Sequence, residues 1–365
     1  MKKRFTIPIV MVLLFSQTGC LKQGDVHYQQ WFLVDTVLTS RPDHPLDNVA
    51  VKDPSIVFYD GNYHLFYTAK SVTFRGEEPQ YSIACAYASA PTLDRLNGAE
   101  RYCIDSIAGR VVIAPQIFCF EPQQLWYLIA HTSVRDGDLS VIKPIYMTNK
   151  DISDVSGWTK AKVIPTGKRD NTFWIDFWMI CDDRMAYMFY GDQKGSVLRL
   201  ESPLDKFPEG FASSEPEIAL TESGDSPMPW RMFEAVHIYH VKSDDKYLAL
   251  LEGAYQNPAV HYQIDSRNRF ILGMVADSLN GAWRRIEAAE DQFLADANNL
   301  SYRDGSKTPF TQVSHPELIR SGCNQKMEIE DYKLRLFFQS FDGTQIPDTY
   351  NYNELPWKLM LMKNY

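Results

Sequence analysis

Two observations in the sequence predict an all-β protein and, more narrowly, a five-bladed β-propeller. Short apolar runs of strand length recur between turn signals, while amphipathic stretches with helix caps are scarce. A unit of two apolar strands joined by a polar turn occurs five times, the first four units roughly 60 residues apart and the last roughly 80. Five units of about four strands each suit a propeller, in which each blade offers its innermost strand to a central axis. A pair of β-sandwiches is the alternative, but it does not explain the even spacing.

The first unit shows the pattern most clearly. In KDPSIVFYDGNYHLFYTA an apolar run, Ile56–Tyr59, meets the turn Asp60-Gly61-Asn62 and continues into a second run, Tyr63–Tyr67. An Asp-Gly turn between two β-prone runs is a good hairpin signal. The other four units begin at residues 114, 176, 234 and 315, with the sequences APQIFCFEPQQLWYLIA, DFWMICDDRMAYMFYGD, EAVHIYHVKSDDKYLALLEG and HPELIRSG…YKLRLFFQS.

The N-terminus predicts export. Residues 1–20 have a basic start, an apolar stretch and a polar end, which together are typical of a secretory signal peptide. Thr18-Gly19-Cys20 resembles a bacterial lipoprotein processing site, with Cys20 as the lipidated residue; cleavage by ordinary signal peptidase, or none, is the alternative. We therefore expect a lipoprotein on the cell envelope or a secreted protein, with residues 21–30 as a tether and residues 31–365 as the propeller.

Composition restricts the partners. The net charge is −9 and basic residues are scattered, so nucleic acid, which requires clustered positive charge, is not expected as a partner. No segment after the leader is long and apolar enough to span a bilayer, so contact with a membrane is expected only through the N-terminal lipid. A monomer is the default expectation. Cys85 and Cys103 could form a disulfide in an oxidising compartment, and the sequence leaves this open.

Ionisable residues recur where the first strand of each unit begins. The residues at this position are Asp53, Ala114, Asp176, Glu234 and His315. In a propeller these strand entrances converge on one pocket at the axis. Carboxylates beside buried strands are unfavourable unless they are paired, hydrogen-bonded or functional. Three carboxylic acids at one repeated position therefore predict a functional site.

The chemistry that best fits these carboxylic acids is glycoside hydrolysis. The reaction needs one acid to protonate the leaving oxygen and one carboxylate to activate water or attack the sugar. Glu234 has apolar neighbours that should raise its pKa, which suits the acid. Asp53, beside Lys52, should stay ionised and suits the base. Asp176 would orient the acid or raise its pKa by like charge.

Several stretches together resemble glycoside hydrolase family 62, a relative of the five-bladed propellers of family 43. They are VKDPSIVFYDGNYHLFYT, APQIFCFEPQQLWYLIA, WIDFWMICDD…YMFYGDQKGSVLR…PLDKFPEGF, MFEAVHIYHV…YLALLEG, VSHPELIRSG and YNELPWKLMLM. Each piece alone is a weak signal, but their shared order and spacing cover nearly the whole mature chain.

The resemblance implies an inverting α-L-arabinofuranosidase that removes side groups from arabinoxylan or arabinan. It places the general base on Asp53, the general acid on Glu234 and the pKa-modulating carboxylate on Asp176. It also implies that Lys52 and Tyr352 bind substrate; the alternatives are a salt bridge of Lys52 to Asp53 and packing of Tyr352 at the rim. His315 matches a histidine beside a structural calcium ion that is held largely by water, and a neutral, hydrogen-bonded histidine is the alternative. No cofactor is required for the chemistry.

Some positions depart from the family pattern, and other functions stay open. Phe177, Ala130-His131-Thr132 and Ile271-Leu272 stand where the family has other residues, in places expected near the substrate subsites. A propeller glycosidase for xylosides, arabinan backbones or algal galactans is therefore one alternative. A glycan-binding lipoprotein without catalysis is another, although retention of all three carboxylic acids argues against it.

Overall fold

The computed structural model describes residues 30–135, 138–167, 174–192, 195–221, 230–260, 263–286 and 292–365, without the side chains of 133–141. The predicted leader, the lipidation residue Cys20 and all but the last residue of the tether lie outside these ranges. Within them, no helix has the length and apolar character needed to cross a bilayer.

The described strands form five sheets arranged as five blades, which confirms the predicted propeller. The first strand, β1 (Trp31–Leu38), belongs to the last blade. Blade 1 comprises β2 (Ala50–Tyr59), β3 (Asn62–Arg75), β4 (Glu78–Ala90) and β5 (Tyr102–Cys103). Blade 2 comprises β6 (Ile113–Phe120), β7 (Leu125–Arg135), β8 (Asp138–Asn149) and β9 (Lys162–Val163). Blade 3 comprises β10 (Trp178–Cys181), β11 (Met185–Gly191), β12 (Ser196–Pro203) and β13 (Glu217–Thr221).

Blades 4 and 5 complete the circle. Blade 4 comprises β14 (Trp230–Val241), β15 (Lys246–Gln256), β16 (Ile264–Ala276) and β17 (Arg284–Arg285). The last strands are β18 (Leu300–Ser301), β19 (Ser314–Leu318), β20 (Glu328–Ile329), β21 (Arg335–Ser340) and β22 (Lys358–Lys363). Blade 5 has the order β18-β1-β22-β21-β19, while β20 joins blade 4 beside β14. The first described strand therefore closes the propeller by pairing with the last.

In the ranges that the structure describes, helical structure is confined to short connections. One α-helix, α1 (Asp105–Ala108), lies between blades 1 and 2. Short 3-10 segments occupy Leu93–Gly98, Glu121–Gln123, Val155–Gly157, Leu204–Lys206, Glu209–Ser213, Gly343–Gln345 and Tyr352–Glu354. The five described cysteines are free thiols. Ala86, not Cys85, lies opposite Cys103 in the β4–β5 pair. Because successive strand residues point to opposite faces, these two thiols do not meet.

Each innermost strand carries a residue with a positive φ at its entrance. These residues are Asp53 (φ 49°), Ala114 (φ 49°), Asp176 (φ 46°), Ala235 (φ 53°) and His315 (φ 48°). The strand pairing shifts register around four of them, as expected of a β-bulge that re-aims side chains beside a site. The predicted alignment was wrong by one residue in the fourth unit, because the bulge falls on Ala235 and Glu234 precedes it.

Side chains from neighbouring blades hold these strained residues in place. The amide of Asp53 donates to Gln339 Oε1 at 2.8 Å, that of Ala114 to Thr68 Oγ at 3.0 Å, and that of His315 to a buried glutamate, at 2.7 Å. A positive φ costs a non-glycine residue on the order of 1–3 kcal/mol. It persists here because its amide has a buried partner on another strand.

Candidate active site

Asp53 lies at the axis between two basic side chains. Its carboxylate is 3.7 Å from Lys52 Nζ and 3.5 Å from His315 Nδ1, and the residue is buried. Burial acts to raise the pKa of Asp53, but the Lys52 ammonium and then His315 outweigh it, so the pKa is lowered. Asp53 is therefore an ionised carboxylate, which is the state that a general base needs.

Glu234 lies in a more apolar setting. A small cavity adjoins it, lined also by Met232, Phe233 and Val236. Burial raises the pKa of Glu234 to about 7, although the Arg269 guanidinium, 3.2 Å from Oε1, acts in the opposite direction. A carboxylic acid with this pKa holds a proton near neutral pH and can donate it.

Asp176 completes the group of three carboxylic acids. Its Oδ2 is 3.9 Å from His315 Nδ1, the same atom that faces Asp53. Burial raises the pKa of Asp176 well above its ordinary value, and the charges of Glu234 and then Asp53 raise it further. The like-charge effect thus falls on Asp176 itself, which holds a proton more readily than an ordinary aspartic acid.

Two further histidines, His131 and His237, are buried near the axis. His131 Nδ1 lies 3.9 Å from Asp176 Oδ1, so His131 belongs to the site. Burial lowers the pKa of His131 to about 4 and that of His315 to about 3, and both rings are neutral at pH 7. His237 lies deeper, with Nδ1 3.3 Å from Glu317 Oε2 and its ring stacked on Trp178. Only the position of His131, at the end of an apolar run, could have suggested its role.

Sequence reasoning missed two further site residues, Arg269 and Glu252. Arg269 Nη1 donates to Glu252 Oε1 at 2.7 Å and to Glu234 Oε1 at 3.2 Å. Both partners of this ion pair are almost fully buried. They stand on the second and third strands of blade 4, outside the repeated strand entrance. A charged residue within each apolar run was the only available signal.

A continuous chain of hydrogen bonds joins the base to the acid. The Asp53 amide donates to Gln339 Oε1, and Gln339 Nε2 donates to Ser314 Oγ at 2.9 Å. Ser314 Oγ in turn donates to Glu252 Oε1 at 2.8 Å, which also accepts from Arg269. The relative positions of Asp53 and Glu234 are therefore fixed across blades 1, 5 and 4.

Tyr352 covers Lys52 at the mouth of the site. Lys52 Nζ lies 5.2 Å from the centroid of the Tyr352 ring, and Lys70 Nζ lies 5.3 Å from it. Burial works against the Lys52 ammonium, but Asp53 and then Tyr352 more than offset this, so the pKa of Lys52 is raised. Burial, together with repulsion from Lys52, lowers the pKa of Lys70 to about 7. The two predicted substrate-binding residues thus meet beside the base.

Of the positions that depart from the family pattern, only His131 reaches the site. Phe177 is buried, with its ring 6.5 Å from that of Trp174. Ile271 and Leu272 are fully buried within blade 4. Ile271 and Leu272 therefore do not present a surface to a substrate, contrary to the expectation that they lie beside subsites.

The donor set next to His315 limits how a metal ion could bind. In the part of the chain that the structure describes, no group of three or more His, Cys, Asp or Glu side chains is arranged to hold one. Calcium takes about six to eight oxygen ligands. The residues present therefore fit an ion held mainly by water and do not form a protein cage. The calcium stays a prediction.

A propeller with an ionised and a protonated carboxylic acid on its axis has the pair of groups that glycoside hydrolases use. The sequence profile of Glycosyl hydrolase family 62 matches residues 42–363, and the chain belongs to this family. The predicted family is thereby confirmed, and with it the broad class of glycoside hydrolase.

Individual relatives agree with this assignment. Alpha-L-arabinofuranosidase C of Cellvibrio japonicus (strain Ueda107) is 28% identical over 315 residues, which is 86% of this chain and 44% of that protein. This chain thus spans less than half the length of that curated relative. The catalytic domain of a Coprinopsis cinerea family 62 alpha-L-arabinofuranosidase superposes with a TM-score of 0.74, at 28% identity, over 92% of this chain and 97% of that chain. A Podospora anserina alpha-L-arabinofuranosidase solved with cellotriose gives 0.73, at 26% identity, over 92% and 96%.

Proposed function

We propose that the protein is an inverting α-L-arabinofuranosidase that removes arabinofuranosyl side chains from arabinoxylan or arabinan. Family membership and relatives with that activity in their names support the sugar. The observation that carries the proposal is the opposite displacement of two pKa values at one site: that of Asp53 is lowered and that of Glu234 is raised to about 7. This split supports Asp53 as the base and Glu234 as the acid.

In the proposed reaction Glu234 donates its proton to the glycosidic oxygen as the bond to the anomeric carbon breaks. Asp53 accepts a proton from the water that attacks the opposite face of the sugar, which inverts the configuration. Asp176, whose carboxyl oxygens lie 3.9 Å from His131 Nδ1 and from His315 Nδ1, orients the groups of the site and modulates their pKa values. Lys52 holds Asp53 ionised and, with Tyr352, lines the sugar pocket.

The location of the protein and its metal also belong to the proposal. The basic, apolar and cysteine-terminated leader supports export with a lipid on Cys20. A lipid-anchored or secreted monomer that acts on plant cell-wall glycan fits this leader.

A calcium ion beside neutral His315 would serve structure and not chemistry. Chelation with EDTA should then lower the melting temperature, and calcium, but not potassium, should restore it.

The test measures arabinose released from wheat arabinoxylan and branched arabinan by protein lacking residues 1–20, beside a Glu234→Gln variant. We expect release by the wild type, loss in the variant, and β-arabinofuranose as the first product by NMR. Release of xylose or galactose instead would replace the proposed sugar. If the wild type binds the polymers but releases no sugar from any glycan, the protein is a binding module and the proposal is wrong.

A further inference from the structure

Blade 1 carries a two-stranded ribbon that none of the described strands covers. The β2–β3 pairing ends at Ala50 and Lys70, whereas the β3–β4 pairing continues through five further pairs, from Ser71 opposite Ser82 to Arg75 opposite Glu78. Residues 71–82 therefore project beyond the blade at the end where Asp53 lies. Asn48 braces the ribbon base through hydrogen bonds with Val72.

One face of this ribbon is apolar, and the half of it farther from the blade is exposed. Alternation along paired strands places on the same side the side chains of Val72, Phe74, Pro79 and Tyr81, here called the ribbon face. Phe74 is 68% exposed, as much as any large apolar residue described. A projecting two-stranded ribbon gains little stability by itself, and adjoining exposed apolar side chains commonly mark a binding surface.

The ribbon face is continuous with the proposed sugar pocket. Tyr81 Oη donates to Glu354 Oε1 at 3.0 Å, and Lys70, on the same face, donates to Asn353 Oδ1 at 2.7 Å. Asn353 and Glu354 directly follow Tyr352, whose ring covers Lys52. The face thus begins at the rim of the site, and Phe74 stands about 13 Å along the strand from Lys70.

We propose that the ribbon face binds the polysaccharide main chain next to the arabinofuranosyl branch being cut. The inference rests on the proposed function, because a debranching enzyme must hold the rest of its polymer outside the pocket. Aromatic rings pack against the apolar faces of sugar rings, while Lys70 adds donors at the base. An apolar wall with a few polar groups is the usual composition of a ligand site. The distance from rim to Phe74 suits a polymer better than a single sugar.

The test compares Phe74→Ala with Phe58→Ala. Phe58 is a matched control, since it is an aromatic 51% exposed on β2, near the strand end opposite Asp53. Retention in arabinoxylan-containing native gels is measured beside kcat/KM on arabinoxylan and on 4-nitrophenyl α-L-arabinofuranoside. For Phe74→Ala we expect weaker retention in the gel. We also expect the loss of kcat/KM on arabinoxylan to be roughly tenfold larger than the loss on the small substrate. Phe58→Ala should match the wild type. Neither exposed position should affect folding.

Three outcomes would overturn the inference. The first is a kcat/KM of Phe74→Ala on the polymer equal to that of the wild type. The second is an equal loss of kcat/KM on the polymer and on the small substrate. The third is a wild-type dimer that Phe74→Ala converts to a monomer, which would make the face a self-association surface. Failure of the proposed function is distinguishable from these. A wild type inactive on every arabinofuranoside, yet held in the gel through Phe74, would refute the activity and leave the glycan surface standing.

Discussion

Lys52 and Glu234 occupy equivalent positions in blades 1 and 4. Each directly precedes the residue with a positive φ, Asp53 in one case and Ala235 in the other. The same local backbone therefore presents an ammonium in one blade and a carboxylic acid in another. Lys52 keeps the base ionised, while Glu234 supplies the proton, so the repeated bulge provides both halves of the proposed acid–base pair.

Replacing Lys52 with Met should move the acidic limb of the kcat/KM–pH profile upward by about one to three pH units. Asp53 must be ionised to act, and Lys52 is the main group that lowers its pKa against the effect of burial. Without the ammonium the pKa of Asp53 rises, so activity appears at higher pH. An unshifted limb would show that another group titrates there. Lys160→Met, at an exposed position, controls for loss of charge.

Glu234→Gln should lower kcat on arabinoxylan by about 10²–10⁴-fold, the usual contribution of a general acid. The decrease in kcat on 4-nitrophenyl α-L-arabinofuranoside should be smaller, because nitrophenolate is a good leaving group that needs little protonation. The alkaline limb of the pH profile should disappear as well. Equal losses on both substrates would assign Glu234 a binding role. Glu121→Gln, on the exposed turn after β6, is the control.

Arg269→Met should destabilise the protein by about 3–5 kcal/mol, because Glu252 is left charged and buried. The double variant Arg269→Met/Glu252→Met should recover part of that loss, as measured by urea unfolding. In the single variant the pKa of Glu234 should rise, since Arg269 opposes its increase. The alkaline limb of activity should then move to higher pH. Additive losses in the double variant would refute the pairing.

Gln339→Leu should lower kcat by about ten- to a hundredfold, because the Asp53 amide loses its acceptor and the base shifts within the site. The Asp53 amide and Ser314 Oγ also lose their hydrogen bonds to Gln339, and each loss should lower the free energy of unfolding by about 1–3 kcal/mol. Ser340→Ala tests whether lost stability alone explains the effect. It removes a buried hydrogen bond to Gln312 O next to Gln339, and it should lower stability without the fall in kcat.

Asp105→Asn should flatten the dependence of stability on pH. Burial raises the pKa of Asp105 to about 7 in the folded protein, above its value in the unfolded chain. The folded state therefore binds more protons, and wild-type stability falls as pH rises from about 4 towards 7. Asparagine keeps an oxygen acceptor for the Cys85 amide and removes this loss. The exposed Asp43→Asn should leave the slope of urea-derived stability against pH as in the wild type.

The fold was predictable because its units repeat. Asp53, Asp176 and Glu234 were predictable because each stands at or next to the start of a unit. The alignment erred at Glu234 because sequence does not indicate on which of two adjacent residues a bulge falls. Arg269 and Glu252 could not be found in the same way. They reach the site from the second and third strands of blade 4, and their meeting depends on the register in which those two strands pair. The ribbon resembled an ordinary polar loop, since Arg75, Glu77 and Glu78 mask the alternation of Val72, Phe74 and Tyr81.

The closure of blade 5 has a consequence for synthesis. Phe32 pairs with Lys363, and Leu38 with Leu359, so β1 emerges from the ribosome long before its partner exists. During that time it is an unpaired strand with apolar residues, the kind of segment that associates with other chains. Contacts this distant in sequence also form slowly. Blade 5 should therefore be the last blade to form, and a nascent chain stalled before β22 should depend on chaperones until it is released.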